Sequence, residues 1–143
     1  MGEKVSDQLQ IEADRDAVWD IIVDIAAYPE WVEGVTDTEV LESNADGTVH
    51  RARFNVDARV VQVEYVLEYR YDDYDVSWSR VEGETVTQLD GRYELRKDGD
   101  GTLVRYALEM DVDLPVPGFM KKRAANTILE RGLSGLQARA QAR

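Results

Sequence analysis

Segments that alternate apolar and polar residues fill most of the chain between positions 35 and 112, and this pattern constrains the fold more than any other. In one segment Tyr65, Leu67 and Tyr69 share one phase, whereas Glu64 and Glu68 share the other. A period of two residues is typical of a β-strand that buries only one face. The sequence therefore predicts an antiparallel sheet with one wet face and one apolar face that another element must cover.

The predicted strands are numerous and closely spaced. They cover residues 5–13, 35–43, 49–56, 61–71, 76–81, 85–97 and 103–112. Turn signals separate them, among them "NADG" at 44–47 and "KDGDG" at 97–101. Proline ends the series at "DLPVPG", residues 113–118, because proline cannot donate a hydrogen bond to a strand ladder. A sheet of about seven such strands twists and curls, which gives it a concave side.

A helix and a helix break follow the first strand. Asp14 is a suitable N-cap because its carboxylate accepts a free backbone N–H of the first turn. Val18 and Ile21 then lie at helical spacing. Pro29 must end this helix, since it lacks an N–H and its ring clashes with the preceding turn. A short second helical turn is predicted to follow and to end near Gly34.

A long amphipathic helix is predicted to begin near Gly118. Its apolar stripe has a spacing of three and four residues and consists of Ala125, Ile128, Leu129, Gly132, Leu133, Leu136 and Ala140. This is the one long amphipathic element in the sequence, so we expect it to cover the apolar face of the sheet. A run of strands flanked by helices indicates an α+β fold.

Length and charge limit the classes of partner. The 143 residues fit one domain spanning 1–143, and the net charge is −12. An acidic surface is repelled by nucleic acid and by anionic lipid, so no nucleic-acid partner is expected. No apolar run reaches about 18 residues, and no secretory leader is evident, which predicts a cytoplasmic protein without stable membrane insertion. The pattern leaves the oligomeric state open.

The last helix is basic, with Lys121, Lys122 and Arg123 close together. The simpler interpretation is a solvent-exposed helix face with acidic neighbours. The alternative is a docking face for an anionic partner.

The sequence offers little conventional catalytic chemistry. There is no cysteine and one histidine, His50, which excludes disulfides and cysteine nucleophiles and does not support a zinc site of three or four ligands. His50 shares a predicted inward phase with Ala52 and Phe54, and a structural role is its simpler interpretation. No glycine-rich nucleotide fingerprint is present. We therefore assign no catalytic residue, no metal and no cofactor.

Three stretches together resemble a known family. They are "VWDIIVDIAAYPEW" at 18–31, "LDGRYEL" at 89–95 and "LPVPGFMKKR" at 114–123. They resemble the START-like (SRPBCC) helix-grip superfamily, and within it the polyketide cyclase/dehydrase and coenzyme-Q-binding branch. The resemblance implies a curved antiparallel sheet of about seven strands around a long C-terminal helix, with two short helices after strand 1. It also implies an apolar cavity between sheet and helix, since members bind lipids, polyketides, quinones, sterols or hormones and some catalyse cyclisation.

The resemblance and the inward phases together suggest the residues that line such a cavity. Trp31 lies at the predicted mouth. The predicted wall residues of the sheet are Phe54, Val56, Val63, Tyr65, Leu67, Trp78, Leu89, Tyr93, Tyr106 and Leu108. Those of the last helix are Met120, Ala124 and Ile128. In this interpretation Trp31 points toward the sheet and Tyr28 stays near the rim. The alternative is a packed core made of the same residues. Gly91, Gly132 and Gly135 either leave room for a ligand or allow close helix–sheet packing.

Four arginines on predicted strands complete the set of candidates. Arg51, Arg53, Arg59 and Arg92 lie mostly in the outward phase, where Glu64, Glu68 and Glu94 are suitable cross-strand partners. A register slip or bulge would instead turn one arginine inward, where it would bind a ligand carbonyl or enolate, and Arg92 is the candidate for that role.

Three functions remain open at this level. The preferred hypothesis is a carrier or sensor that binds a hydrophobic small molecule in a helix-grip cavity. The alternative is a polyketide cyclase or dehydratase that folds a reactive chain into a productive shape in the same cavity. The third is an interaction protein with a filled core that docks through its basic helix. Convergent ionisable groups in the interior would favour the enzyme, and a wall with only one or two hydroxyls would favour the carrier.

Overall fold

The structure is a computed structural model that describes residues 2–57 and 62–142. Strand β1 (Glu3–Ile11) is followed by helix α1 (Arg15–Val23) and a short 3-10 helix (Ile25–Glu30). Six further strands and a long helix complete the fold: β2 (Val35–Ser43), β3 (Val49–Asp57), β4 (Gln62–Asp72), β5 (Asp75–Glu82), β6 (Val86–Asp98), β7 (Gly101–Val112) and α2 (Gly118–Gln141). The predicted positions of Arg59 and Val61 lie outside the described residues.

The strands form one antiparallel sheet of seven, in the order β1-β7-β6-β5-β4-β3-β2. The sheet is curved, and the fold is the predicted helix-grip arrangement, so the α+β prediction is confirmed. The first strand lies at one edge of the sheet and pairs with the last one, from Glu3 opposite Met110 to Ile11 opposite Thr102. Bulges interrupt the ladder between β2 and β3 and, at Val66 and Leu67, the ladder between β4 and β5.

The break after α1 follows from local chemistry. Asp14 caps α1 as predicted, because its carboxylate accepts the backbone N–H of Asp16 at 3.3 Å. The chain then tightens into the 3-10 helix that contains Pro29, with Ile25 and Tyr28 buried on one side of it. Three residues per turn bring Ile25 and Tyr28 onto the same face.

Helix α2 covers one side of the sheet and contacts β1, β7 and α1. Its buried face consists of Ala125, Leu129, Gly132, Leu133, Leu136 and Ala140, which is the predicted stripe without Ile128. Such burial of apolar side chains supplies most of the stability of a helix in a protein, since a helix alone is marginal in water. Within the described residues no helix combines the length and hydropathy needed to cross a lipid bilayer.

Three residues of α2 that were predicted to line the interior are exposed. Met120 is 46% exposed and Ile128 is 42% exposed, and Ala124 is exposed as well, so these three do not close the interior. They lie about 100° or more around the helix from the buried stripe, which is centred on Leu129 and Leu136.

His50 also departs from its predicted inward position. Its side chain is 37% exposed, and its Nε2 lies 3.9 Å from the Glu68 carboxylate, next to the pair that Glu68 makes with Arg51. Bulges in the β2–β3 ladder, at Val40/Glu42 and Glu42/Ser43, disturb the strict alternation that the prediction assumed.

Candidate functional site

Aromatic rings fill the space between the sheet and α2. Tyr93 and Tyr106 lie opposite each other on β6 and β7, with ring centroids 4.4 Å apart. Trp78 on β5 contacts both, at 5.4 Å and 5.9 Å between centroids. A second line of rings runs from the 3-10 helix to β4, through Tyr28, Phe54 and Tyr65. The predicted inward phase of these aromatic residues is thus the one that the strands adopt.

The predicted wall residues fall into three groups. The buried ones are Phe54, Leu67, Trp78, Leu89, Tyr93, Tyr106 and Leu108. Those that are half-buried at the edge of the core are Trp31, Val56, Val63 and Tyr65. Met120, Ala124 and Ile128 form the exposed group described above.

Two glycines make room for the chain's own rings. A Cβ on Gly91 would lie 2.2 Å from the indole of Trp78, and a Cβ on Gly132 would lie 2.8 Å from the ring of Tyr106. Contacts this short do not occur for real side chains, so the glycines are required for the rings to lie where they do. Of the two explanations that the sequence left open for Gly91 and Gly132, close packing is the one that the structure supports.

The rings in this space are packed, but among the described residues several of their hydroxyl groups have no hydrogen-bond partner. Among the described residues, the hydroxyls of Tyr65, Tyr69, Tyr93 and Tyr106 make no hydrogen bond, in contrast to Tyr28 and Tyr71, which donate to the carbonyls of Ile22 and Val49. In the described part of the chain, two side-chain polar atoms are fully buried and have no hydrogen-bond partner. They are Arg15 Nε and Trp31 Nε1. The four tyrosine oxygens therefore each keep some accessible surface.

Burial holds these tyrosines in the neutral form. Desolvation raises the pKa of Tyr65, Tyr69, Tyr93 and Tyr106 above the ordinary value of 10.0, and mutual repulsion with other tyrosines raises the pKa of the last three further. At neutral pH they are hydrogen-bond donors and not bases.

An arginine that the sequence did not single out lies on the same inner face. Arg80 is opposite Leu67 in the β4–β5 register and two residues from Trp78, and both neighbours face inward. Its guanidinium donates to the carbonyls of Thr87 at 3.0 Å and Gly83 at 3.1 Å, and no carboxylate among the described residues pairs with it. Gly83 in turn packs on Tyr65.

Simple alternation could have found Arg80. Counted from the buried residues Val76 and Trp78, Arg80 is the next residue in the inward phase of β5, and the bulge at Val81 lies beyond it. The expected mechanism, a bulge that turns an arginine inward, is therefore not what places Arg80.

The arginines named from the sequence stay outside. Arg92 pairs with Asp75 at 3.1 Å and with Glu94 at 3.7 Å on the outer face. Arg51 pairs with Glu68, and Arg53 lies 3.6 Å from Glu64 and also contacts Glu39. Arg92 is therefore not an inward ligand-binding residue, and the cross-strand pairing predicted for Arg51 and Arg53 is confirmed.

The predicted orientations of Tyr28 and Trp31 are reversed. Tyr28 is 8% exposed and lies edge-on to Phe54, whereas Trp31 is half-buried and packs against Gly135 of α2. The reason is that Trp31, with φ −139°, has already left the path of the 3-10 helix and turns toward α2.

Two depressions in the described part of the chain lie outside the ring-filled space. The larger, about 440 Å³, is a dish on the outer face around Ser6, Arg92 and Ala107. The smaller, about 170 Å³, is a cleft between α1, the 3-10 helix and α2, and it is lined by Trp31 and Arg139. The dish is on the wrong face to reach the tyrosines or Arg80, so we take the inner face as the candidate site.

Comparison with known proteins covers almost the whole chain. The family profile described as polyketide cyclase/dehydrase and lipid transport matches residues 3–141. No curated protein matches the sequence.

Three solved structures match the fold over nearly the whole of each chain. A START superfamily protein from Mycobacterium smegmatis has 26% identity and a TM-score of 0.92, with 99% of each chain covered. The Zhui aromatase/cyclase from a Streptomyces species has 16% identity and a TM-score of 0.77, with 99% of this chain and 94% of that chain covered. A major latex-like protein from Panax ginseng has 15% identity and a TM-score of 0.73, with 97% of each chain covered. The last two likenesses concern the fold alone.

Proposed function

Because this chain belongs to the polyketide cyclase/dehydrase and lipid transport family, we propose that it binds a hydrophobic small molecule bearing carbonyl-type oxygens between the sheet and α2. The observation that carries the proposal is the set of hydrogen-bond donors on the inner face. Among the described residues, four tyrosine hydroxyls lack hydrogen-bond partners, and the guanidinium of Arg80 has no carboxylate partner.

The chemistry of these donors selects the class of ligand. A neutral phenol and a guanidinium both donate to an oxygen acceptor, and neither repels a carbonyl. A pure hydrocarbon would leave the same groups without partners, which costs free energy in a dry environment. The proposed contacts are therefore Tyr65, Tyr69, Tyr93 and Tyr106 at the wall, with Arg80 at the end of β5.

Binding requires the rings to move. The rings of Trp78, Tyr93 and Tyr106 occupy the space that a ring-shaped ligand would take, and they give up their mutual contacts when it enters. Stacking of a flat ligand on aromatic side chains replaces those contacts at little cost. The exposed side chains of Met120 and Ile128 then form the outer edge of the site rather than its wall.

Carriage or sensing is the first role that we propose, and cyclisation is the second. Arg80 favours the second role, since a guanidinium aimed at a carbonyl oxygen stabilises the negative charge of an enolate. The protonated tyrosines assist as donors but do not abstract a proton, because their pKa values are raised. A base would have to come from the substrate or from water.

A matched pair of probes tests the proposal. 9-Fluorenone and fluorene have the same ring system and differ in one carbonyl, and competition against a fluorescent dye gives both affinities. We expect the wild type to prefer fluorenone, and Arg80→Met to reduce fluorenone affinity roughly tenfold, in line with a lost hydrogen bond to a charged group. Fluorene affinity should stay within about twofold.

Two controls accompany this measurement. Arg70→Met removes an arginine that is exposed on the outer face and should change neither affinity. Tyr93→Phe removes one hydroxyl and keeps the ring, so it provides a second test if Arg80→Met disturbs the β5–β6 turn. Equal affinities for the two probes in every variant would refute the proposed ligand class.

A further inference from the structure

The segment after Pro29 is fastened to α2 at three points one helical turn apart. Arg139 pairs with Glu30 at 3.0 Å, and Arg131 pairs with Glu33 at 3.3 Å. Between them, Trp31 packs against Gly135. We call this contact the seam, made of Glu30, Trp31 and Glu33 on one side and Arg131, Gly135 and Arg139 on the other.

Gly135 sets how closely the two sides approach. A Cβ at this position would lie 2.8 Å from the carbonyl oxygen of Trp31 and 3.5 Å from its indole Cε3. A glycine in a helix interior destabilises the helix relative to alanine. The seam is therefore closed by a residue that weakens the helix carrying it.

The short segment of the seam has few backbone hydrogen bonds. It begins at Pro29 and ends at Gly34, whose φ of +96° suits glycine. The amides of Trp31 and Val32 donate to the carbonyl of Tyr28, that of Val35 donates to Val32, and that of Asp57 on β3 donates to Gly34. The closed position also seals the indole Nε1 of Trp31 without a hydrogen-bond partner, which opening would relieve.

A cleft adjoins the seam, and a line of ring contacts connects the seam with the interior. The cleft of about 170 Å³ is lined by Trp31 and Arg139 themselves. From Trp31 a line of ring contacts runs inward through Tyr28 at 5.0 Å, Phe54 at 6.1 Å and Tyr65 at 5.6 Å, each distance being between successive centroids. The line ends at one of the tyrosines without a hydroxyl partner.

We infer that the seam is the port through which ligand enters the ring-filled space, and that its two ion pairs form a latch that sets the rate of entry. The inference rests on the proposed function, because it presupposes that a ligand binds between sheet and helix. The carboxylates of Glu30 and Glu33 are 63% and 62% exposed, so salt screens both pairs and weakens the latch.

A latch has a kinetic signature that distinguishes it from a binding contact. It stabilises the closed segment with and without ligand, so its removal speeds entry and exit together and leaves Kd almost unchanged. The probe is Nile red, a flat and neutral dye with a carbonyl group. Its neutrality removes long-range steering as a cause of any dependence on salt.

Stopped-flow fluorescence of Nile red binding provides the test. The double variant is Arg131→Gln/Arg139→Gln. The control is Arg70→Gln, which removes the exposed ion pair of Arg70 with Glu68 on β4. We expect the double variant to raise the association and dissociation rates roughly threefold to tenfold, as suits two surface ion pairs. Kd should stay within about twofold. High salt should accelerate the wild type and not the double variant, and Gly135→Ala, which pushes Trp31 away, should also accelerate entry.

The outcomes separate the port from the proposed function. Binding with rates equal to the wild type, or with a changed Kd and an unchanged dissociation rate, would overturn the port and leave ligand binding intact. Hydrogen exchange of the Trp31 and Val32 amides, measured without dye, tests the latch even if Nile red fails to bind, a failure that would count against the proposed function. Exchange that is no faster in the double variant than in Arg70→Gln would overturn the latch.

Discussion

Tyr28 and Tyr69 are alike in burial and different in partnership, which makes them a residue-scale test of the site. Tyr28 is 8% exposed and Tyr69 is 3% exposed. The Tyr28 hydroxyl donates to the carbonyl of Ile22 and so ties the 3-10 helix to α1. The Tyr69 hydroxyl makes no hydrogen bond among the described residues. The first hydroxyl therefore supports the fold, and the second is available to a ligand.

The two tyrosine-to-phenylalanine variants should differ in stability. Tyr28→Phe loses a buried hydrogen bond and should lower the free energy of unfolding by about 1 kcal/mol. Tyr69→Phe keeps the ring and loses no protein contact, so its free energy of unfolding should stay within about 0.5 kcal/mol of the wild type. Urea denaturation measures both, and an equal loss in the two variants would show that Tyr69 has a partner in solution.

At this scale the sequence predicts which side chains face inward better than what their polar atoms do. Alternation places Tyr93 and Tyr106 on the inner face because the β6–β7 ladder is regular through that stretch. It cannot show that their hydroxyls lack partners, since this depends on groups that are distant in sequence. Arg80 continues the inward phase of Val76 and Trp78, so alternation alone could have found it.

The elements are predicted closely where one physical rule dominates. Strand β2 has its predicted bounds, and α2 begins at its predicted residue, Gly118, just after the prolines that end the sheet. The rotation of α2 about its axis is predicted less well. Apolar periodicity assigns Ile128 to the buried stripe, whereas the contacts of α2 with β1 and β7 leave it exposed.

Two adjacent residues on α2 test that rotation. Leu129 is 2% exposed and Ile128 is 42% exposed. Leu129→Ala leaves a cavity against the sheet and should lower the free energy of unfolding by about 2–5 kcal/mol. Ile128→Ala should cost less than about 1 kcal/mol, because little of its surface leaves water on folding. Chemical denaturation of both variants suffices, and similar losses would mean that α2 is rotated relative to the structure.

At the scale of the whole molecule, an acidic chain folds its sheet and helices around its own aromatic rings, and several of their hydroxyls have no hydrogen-bond partner among the described residues. The family relationship and the fold agree with the resemblance found in the sequence. The resemblance implies a cavity but does not require it to be empty. The space that Gly91 and Gly132 leave is taken by the rings of Trp78 and Tyr106. On this view, function depends on whether those rings move apart for a ligand that accepts hydrogen bonds from the tyrosine hydroxyls.

Nuclear Overhauser contacts between unlabelled 9-fluorenone and isotope-labelled protein test this claim most directly. The account predicts contacts from the ligand to ring protons of Tyr93 and Tyr106 and none to Ala107, which lies in the outer dish. Contacts confined to Ala107 and its neighbours, with the interior rings unperturbed, would show that the sheet and α2 enclose a plain core.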